Sequence, residues 1–518
     1  MIELINDYVK MTKVILVPPS RSVYEHDCIV PDALPDMLKV LVADGVSTVD
    51  RVSVMKDQVT VDFSIQYRIL YLADNAEASI KSFSTTANHS ATFDAPEADS
   101  NTECRVECII EHTEHTYINS RKLAFRTVVK IEPELYNTEE KGITAGLDGL
   151  DDIQAQRKTF RISSVCRTEN ANLSISDVIE IPSGKAPVLD LLRTDARLSD
   201  VNFSVDDEKV QVKGFLNICA LYVADDANQT TQVLENQIPF TQNLQIEDDE
   251  PGVTYDVKTN ISNFRADVVE DADGDKRMLA LDANIDFLLS GYVTKECEVL
   301  TDAYSLTKNF DLDYEVIDTP LKIGEMATQF VLKEIVSKSD EDPSMSEVIN
   351  VNGTIGQADV IVEDGVVTVE GFVFCNVLYI SNDPESPIAS FTQQIPFTQT
   401  FDRNFDVENP DVKAKLDISH TSYSILSGQE LELRIAISVK LDVACINHIN
   451  TIVEARMPEE ADKDFTNRPS ILLYVVQPGD TLWKVAKRYS APLNILQNVN
   501  NLANPDVLRP GQKLLIPT

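Results

Sequence analysis

Two cysteines and two histidines stand close together in the chain and have the side chains that a zinc site needs. Cys104, Cys108, His112 and His115 follow the pattern C-x3-C-x3-H-x2-H, and thiolate and imidazole are common zinc ligands. A strand would separate Cys104 from His112 by about 26 Å, at roughly 3.3 Å per residue. A helix would separate them by about 12 Å, at roughly 1.5 Å per residue. One ion cannot collect all four ligands from either element, so we expect no metal site here.

An acidic hexapeptide, EDADGD at residues 270–275, resembles the start of a calcium-binding loop. Counted from Asp271, such a loop has glycine at its sixth position and glutamate at its twelfth. This chain has Lys276 and Asp282 there. We therefore predict a solvated hairpin tip between two strands, and not a calcium site.

The strongest internal signal is self-similarity. Three stretches of 17 residues, starting at Gln58, Lys209 and Val366, align without gaps at offsets of 151 and 157 residues. Two valines, a leucine and a tyrosine recur in each: Val59, Val61, Leu70 and Tyr71; Val210, Val212, Leu221 and Tyr222; Val367, Val369, Leu378 and Tyr379. The chain therefore contains three copies of one domain. Copy one is the most divergent, because the IPFTQ sequence of the other two is degraded in it.

Within each copy, apolar and polar residues alternate over strand-length windows, and turn-like tetrads separate the runs. The first hairpin turns fall at residues 55–58, 206–209 and 363–366, and the second tips at 119–121, 273–275 and 427–429. Short apolar segments that follow prolines, at 37–41, 188–192 and 345–349, predict one or two helical turns. We predict a mostly antiparallel β domain for each copy, arranged as a sandwich.

The sequence favours no enzymatic reaction. It contains no G-x-G-x-x-G, Walker A or G-x-S-x-G motif, and its six histidines lie at positions that are not equivalent between the copies. A catalytic site duplicated with the domain should leave equivalent polar residues. The residues that recur are those of core packing, so we expect no catalytic residues and no cofactor.

Composition limits the partners and the compartment. The 518 residues carry 84 acidic and 45 basic side chains, for a net charge of −39, which repels nucleic acid and anionic membranes. We find no secretory signal and no apolar run of the roughly 18 residues that a membrane span needs. The eight cysteines are scattered, without a C-x-x-C pair, as is typical of reduced thiols. We expect a cytoplasmic protein that is not inserted in a membrane.

The last 48 residues read as a complete β-α-α-β unit. A short strand at 474–477 is followed by Pro478-Gly479 and by a helix, with Asp480 as its expected cap. Pro492 is placed to begin a second helix, and Pro510-Gly511 turns the chain into a closing strand at 513–516.

The module resembles a LysM domain through V-x-P-G-D-T-L-W at its start and N-x-x-N-P-x-x-L-x-P-G-Q-x-L-x-I-P at its end. This resemblance implies a shallow groove for N-acetylglucosamine polymers. Its walls would be Gly479, Asp480, Thr481 and Leu482 on one side, and Leu508, Arg509 and Pro510 on the other. Leu482 and Leu508 could equally be core residues, and Asp480 only a helix cap. Trp483, next to Leu482 on the helix, is expected to be exposed and to anchor a sugar or a protein.

Charge and composition divide the chain. Residues 471–518 carry a net charge of +3, and subtracting this from −39 leaves −42 for residues 1–470. We predict β copies at 1–145, 155–318 and 320–456, an acidic linker at 457–470 that acts as a flexible tether, and the LysM-like domain at 471–518. The basic module can dock on an acidic partner, whereas the copies cannot.

Three acidic β copies followed by a LysM-like domain resemble the clostridial spore coat proteins of the SipL type. The resemblance implies a mother-cell scaffold at the forespore surface that binds the coat morphogenetic ATPase through its LysM. The alternative is a peptidoglycan- or N-acetylglucosamine-binding protein of the cell wall or spore cortex. A hydrolase delivered by its LysM is a third hypothesis, which no catalytic constellation supports.

Overall fold

The computed structural model shows a chain built almost entirely of strands. It describes residues 2–15, 17–75, 79–206, 208–227, 229–246, 252–363, 365–383, 386–402, 410–459, 461–464, 469–502, 504 and 508–517. These residues form twenty-one strands and two helices. The prediction of a mainly β fold with three antiparallel copies and a small β-α-α-β domain is confirmed.

Copy one contains two antiparallel sheets. Its strands are β1 (Glu3–Ile15), β2 (Ser20–Ile29), β3 (Met37–Met55), β4 (Gln58–Ala73), β5 (Ile80–Asp94), β6 (Glu103–Asn119) and β7 (Lys122–Asp148). One sheet has the order β3-β4-β5. In the other, the long β7 pairs with β6 on one side and with β1 and β2 on the other.

Copies two and three repeat this arrangement, with one long strand in place of β1 and β2. Copy two is formed by β8 (Ile153–Glu180), β9 (Val188–Val205), β10 (Lys209–Ala224), β11 (Thr231–Gln245), β12 (Thr254–Val269) and β13 (Met278–Ser305). Copy three is formed by β14 (Asp311–Ser337), β15 (Met345–Glu363), β16 (Val366–Ser381), β17 (Ile388–Asp402), β18 (Asp411–Ile425) and β19 (Glu430–Arg456). Their sheets are β9-β10-β11 with β12-β13-β8, and β15-β16-β17 with β14-β19-β18.

The alternation of the sequence produces the sandwich. On β4, every second residue from Val59 to Tyr67 is fully buried, and these side chains pack against Leu123, Phe125 and Val129 of β7. A strand directs successive side chains to opposite faces, so alternating apolar residues form one continuous inner face. In each copy, both predicted hairpin turns fall between strands that pair with each other, and residues 207 and 364 of these turns lie outside the described part of the chain.

The predicted helical turns are wrong. Residues 37–41, 188–192 and 345–349 are the beginnings of β3, β9 and β15. The register shifts within these stretches, for example between Met37 and Lys39 and between Val40 and Val42. A β-bulge places an extra residue on one strand and interrupts the strict alternation, which is why the pattern resembled a helix.

The recurring tyrosine fixes the loop that enters each copy. The hydroxyl group of Tyr71 donates to the carbonyl oxygen of Pro35 at 2.9 Å, and that of Tyr379 to the carbonyl of Pro343 at 2.9 Å. The hydroxyl group of Tyr222 lies 3.4 Å from the equivalent carbonyl oxygen, that of Ala186, and 3.0 Å from Oε1 of Gln232. All three rings are fully buried, so the bond also satisfies a polar atom within the core.

The recurring leucine joins the copies to one another. Leu70, Leu221 and Leu378 are each 2% exposed and meet in a single cluster. The cluster is completed by Leu41, Ile80, Leu192 and Val223, with Ile349 and Ile388 packed at its edge. We call this cluster the leucine hub. Its members come from all three copies, which therefore share one apolar centre.

A second apolar cluster lies between the far halves of the long strands. It contains Met11 and Ile143 from copy one, Ile162 and Val299 from copy two, and Ile317 and Ile449 from β14 and β19. The hydroxyl group of Thr144 also donates to the carbonyl oxygen of Ile452 at 2.6 Å. The three copies thus pack as one body around two shared clusters.

Ion pairs cross the same boundaries. Arg68 contacts both Asp44 and Asp195, and Arg193 contacts the same two carboxylates, so copies one and two each supply one arginine and one aspartate. Burial opposes ionisation of Asp195, but the charge of Arg193 outweighs it and lowers the pKa of Asp195 to about 2. The same pairing holds the pKa of Arg193 above its ordinary value. A buried pair of this kind fixes the orientation of its neighbours.

The C-terminal module has two strands and two helices. They are β20 (Ile471–Val475), α1 (Leu482–Tyr489), α2 (Leu493–Val499) and β21 (Lys513–Pro517). Val485, Ala486 and Leu496 of the helices pack against Leu514 and Ile516 of β21. Among the described residues, neither helix has the length and apolar character needed to cross a membrane.

Part of the predicted linker is bound to the body. The backbone N–H of Asn309 donates to the carbonyl oxygen of Ala461 at 2.6 Å, and that of Lys463 to the carbonyl of Thr307 at 2.9 Å. Ala461 is 7% exposed. The expectation of a free tether is therefore wrong for residues 461–464, whereas residues 465–468 lie outside the described part of the chain.

Candidate functional site

The two predicted walls of the groove lie side by side at one end of the module's sheet. The N–H of Val476 donates to the carbonyl of Gln512 at 2.9 Å, and the N–H of Gly511 donates to the carbonyl of Val476 at 2.9 Å. These bonds hold the turn at 477–480 next to the turn at 508–512. Gly479 and Gly511 both have φ of +84°, the left-handed region that glycine adopts without strain.

Asp480 is not the cap of α1. The cap is Thr481, whose side chain accepts a bond from the N–H of Lys484 at 3.2 Å. The carboxylate of Asp480 instead accepts from the Tyr474 hydroxyl group at 2.5 Å and from the N–H of Gln477 at 2.8 Å. The bond from Tyr474 is the main cause of a lowered pKa at Asp480. Asp480 therefore shapes the turn, and Thr481 caps the helix, which begins at Leu482.

The remaining wall residues separate into exposed and packed ones. Gly479, Thr481, Arg509 and Pro510 are exposed. Leu482 is 2% exposed within the module's core, and Leu508 packs against the same core. Both leucines therefore occupy core positions, which is one of the two roles that the sequence left open for them. Four of the predicted groove residues present surface on which a ligand could lie.

Trp483 is buried, in contrast to the expectation that it is exposed. It is 8% exposed, and its ring meets that of Tyr304 edge-on at 5.1 Å between ring centroids. Its Nε1–H donates to Oδ2 of Asp302 at 2.7 Å. Both partners belong to β13 of copy two. The prediction failed because the body covers this side of the module, which no pattern within the module reveals.

Asp302 accepts hydrogen bonds from side chains of two elements, α1 and β14. Besides Trp483, it accepts from Nζ of Lys487 and from the hydroxyl group of Tyr314 on β14, the latter at 2.9 Å. Burial alone would raise the pKa of Asp302, but the hydrogen bonds from Lys487 and Trp483 outweigh it and hold the pKa below its ordinary value. We call Asp302, Tyr304 and Tyr314 the docking site of the module. No sequence motif distinguishes these three residues.

The two patterns that resemble metal sites lie on a strand and in a hydrogen-bonded turn. Cys104, Cys108, His112 and His115 lie along the single strand β6, and burial raises the pKa of both thiols to about 11, which favours the neutral form. Residues 270–277 link β12 to β13, and a carboxylate oxygen of Asp271 accepts from the N–H groups of Asp273 and Asp275. Over the described ranges, no cluster of three or more potential metal ligands is present.

The fold and the site define a class of protein: a body of three fused β sandwiches that carries one small recognition module. Residues 36–118, 187–269 and 344–426 each match the SipL, SPOCS domain, and residues 474–517 match the LysM domain. The chain therefore contains three SPOCS domains of the SipL type, followed by a C-terminal LysM domain.

Three similar proteins each match a short segment of the chain. The chain is 45% identical over 47 residues to the spore coat assembly protein ExsA of Bacillus cereus, which covers 9% of this chain and 7% of that protein. It is 38% identical over 47 residues to SpoIVD-associated factor A of Bacillus subtilis, covering 9% and 12%. An uncharacterized protein of Deinococcus radiodurans is 34% identical over 91 residues, covering 17% and 36%. No solved structure matches the chain.

Proposed function

We propose that the chain is a non-enzymatic scaffold of spore coat assembly, in which the SPOCS body carries a LysM that docks a coat morphogenetic ATPase at the forespore surface. The family assignment supports a sporulation role, as do two similar proteins whose names refer to spore coat assembly and to association with SpoIVD. The proposed location is the mother-cell cytoplasm, against the developing coat.

The observation that carries this proposal is the structural role of the valines, leucine and tyrosine that recur in all three copies. The valines fill the sandwiches, the tyrosines bind loop carbonyls, and the leucines join the copies in the leucine hub. An enzyme that had triplicated its catalytic domain would be expected to preserve reactive side chains at equivalent positions. A rigid body with a single small module is the arrangement of a scaffold that presents a binding domain.

Charge favours an acidic partner for the LysM. Lys484, Arg488, Arg509 and Lys513 are exposed on the module, whose net charge is +3 against −42 for the rest of the chain. Electrostatic attraction raises the rate at which such a module meets an acidic protein, while the body repels the same partner. The body would therefore orient the partner toward the module.

An N-acetylglucosamine polymer is the second candidate ligand. Gly479 and Thr481 lie exposed beside Arg509 and Pro510, where the two turns are hydrogen-bonded through Val476. A shallow surface with free backbone groups suits acetamido groups. In this alternative the chain binds peptidoglycan of the cell wall or spore cortex, and the body spaces the LysM from its anchor.

The experiment compares both ligands on the full chain. Purified chain is titrated with the purified ATPase and with chitin hexaose, and a fluorescent fusion is followed during sporulation. The test variant is Arg509→Glu, and the matched control is Lys56→Glu at an exposed hairpin turn of copy one. We expect saturable ATPase binding that Arg509→Glu weakens and Lys56→Glu does not, together with a fluorescent ring at the forespore. Tight hexaose binding without ATPase binding would instead establish the alternative.

A further inference from the structure

Trp483 forms a contact between the LysM domain and copy two of the body. It is the only tryptophan, and it follows the groove residues Thr481 and Leu482 at the start of α1. An exposed tryptophan at this place would extend the groove, because its ring can cover a sugar face or fill a protein pocket. The docking site instead covers it, so that only 8% of the residue is accessible.

The contact is polar and directional. The carboxylate of Asp302 accepts from Trp483, Lys487 and Tyr314, and also from the backbone N–H of Ala303. Hydrogen bonds to an ionised acceptor are stronger than those between neutral groups. The side chain of Asp302 is 20% exposed, so water competes little for these bonds.

Further bonds tie the C-terminal end of α1 to the body. The Tyr304 hydroxyl group donates to the carbonyl of Ala491 at 2.7 Å. Nζ of Lys463 bridges the carbonyl of Ser305 and the hydroxyl of Ser490, both at 2.7 Å. Both ends of α1 are therefore held, and the module is fixed in one orientation.

The exposed part of the groove stays accessible in this orientation. Gly479, Thr481, Arg509 and Pro510 have no contact with the docking site among the bonds described, and they remain on the surface. A ligand can therefore meet the groove while the tryptophan side is closed. A ligand that also contacted the ring of Trp483 would require the contact with Asp302 to open, since one ring cannot fill two sites.

We propose that the docking site is autoinhibitory, because it competes with the ligand of the LysM for Trp483. We call this contact between Trp483 and the docking site the latch. The inference rests on the proposed function only in taking the LysM as a ligand-binding module. It holds for either ligand, because both would use the same face. A module open about one tenth of the time binds about tenfold more weakly than a permanently open one.

The first measurement follows the latch without any ligand. Because Trp483 is the only tryptophan, its emission and its quenching by acrylamide report this contact alone. The variants are Asp302→Ala and Lys487→Ala, and the control is Asp311→Asn, an exposed aspartate at the start of β14. We expect red-shifted emission and about twofold stronger quenching in the two test variants. Far-UV circular dichroism and the melting temperature establish that each variant is folded.

The second measurement asks whether opening increases affinity. The same variants are titrated with the purified ATPase and with chitin hexaose. We expect the affinity for the probe that binds to rise severalfold in Asp302→Ala and Lys487→Ala, and to be unchanged in Asp311→Asn.

The outcomes separate the latch from the proposed function. Equal affinity of wild type and opened variants for a probe that binds would overturn the latch and leave the function intact. A tryptophan that stays protected in both variants would also overturn the latch. Failure of both probes to bind even the opened variants would reject the LysM as the binding module, and the inhibitory role with it.

Discussion

The indole Nε1–H of Trp483 donates a hydrogen bond of 2.7 Å to Oδ2 of Asp302, which lies 181 residues earlier in the chain. This bond connects the LysM domain to copy two of the SPOCS body, and Lys487 reaches the same carboxylate. The hydrogen bonds that hold Trp483 and Lys487 at this end of α1 therefore depend on the ionisation of one aspartate. This dependence leads to the first prediction.

Acidification should release Trp483 from the docking site. The hydrogen bonds from Lys487 and Trp483 hold the pKa of Asp302 below its ordinary value of 3.8. A group whose pKa is lowered in the docked state stabilises that state above 3.8, and the stabilisation is lost as the pH falls through the lowered pKa. We expect tryptophan emission to be constant between pH 7 and pH 5 and to shift to the red only below about 3.8.

The neutral variant Asp302→Asn serves as the control for this titration. Asparagine does not ionise in this range, so its emission should not show the same step before the fold itself is lost. Circular dichroism recorded in parallel identifies global unfolding. A step of equal size and midpoint in wild type and variant would show that Asp302 is not the titrating group.

Truncation of the leucine hub should destabilise the whole body. Leu70 is 2% exposed and contacts the other copies in this cluster, so Leu70→Ala leaves a cavity at the centre of three domains. Replacement of a buried leucine by alanine costs about 2–5 kcal/mol of the free energy of unfolding. The same substitution at Leu38, which is 51% exposed, should cost less than about 1 kcal/mol. Urea unfolding measures both values.

The unfolding curve also tests whether the copies behave as one body. In wild type we expect a single transition for the three copies, since they share two apolar clusters. Leu70→Ala should lower the midpoint and separate the transition into steps. A variant that keeps a single transition with an unchanged midpoint would contradict the role assigned to the hub.

The sequence predicted the strands and hairpins because these depend on local patterns. Alternation decides which face of a strand is buried, and polar tetrads mark the turns, so both could be read within each copy. The packing between copies could not be read in this way. One signal was present, because β4 ends in the apolar run ILYLA and its last five residues are all buried. A continuous apolar run indicates burial on both faces, and the second face of Leu70 is the leucine hub.

The burial of Trp483, unlike that of Leu70, could not be predicted from the sequence. Helical spacing separates it from the core residue Leu482, but spacing does not reveal what lies beyond the helix. The docking site is formed by residues that are far away in sequence and have no distinctive pattern. Because no sequence pattern near Trp483 indicates the docking site, the tryptophan was expected to face solvent.

Loss of one charge from the ion-pair cluster between copies one and two should lower the free energy of unfolding. Arg193→Ala leaves Asp44 and Asp195 close together without one of their two arginines. Removing one partner of a buried pair costs about 3–5 kcal/mol, because the remaining charge stays buried. Because Arg68 still contacts both carboxylates, which are 28% and 18% exposed, we expect a smaller loss of about 1–3 kcal/mol in urea unfolding. Arg434→Ala, at a half-exposed pair within copy three, should cost less than about 1 kcal/mol.

The same cluster predicts how the wild type and this variant respond to pH. Asp195 has a pKa of about 2 in the folded chain, so its contribution is present above the ordinary value of 3.8 and is lost as the pH falls toward 2. Without Arg193 this pKa should rise, and part of the contribution should already be absent at neutral pH. The difference in stability between wild type and Arg193→Ala should therefore shrink between pH 5 and pH 3. A difference that stays constant over this range would contradict the assignment.

The stabilising effect of the recurring tyrosine's hydrogen bond can be measured by the same substitution in two copies. Tyr71→Phe and Tyr379→Phe keep the buried ring and remove only the bond of 2.9 Å to the carbonyl of Pro35 or Pro343. Loss of such a bond costs about 0.5–1.5 kcal/mol of the free energy of unfolding. We expect similar losses in thermal unfolding for both. Tyr423→Phe is the control, because Tyr423 is 43% exposed and water can replace its bond to the carbonyl of Val348. If the control lost as much stability as the buried pair, the recurrence of the tyrosine would have to be explained by its ring alone.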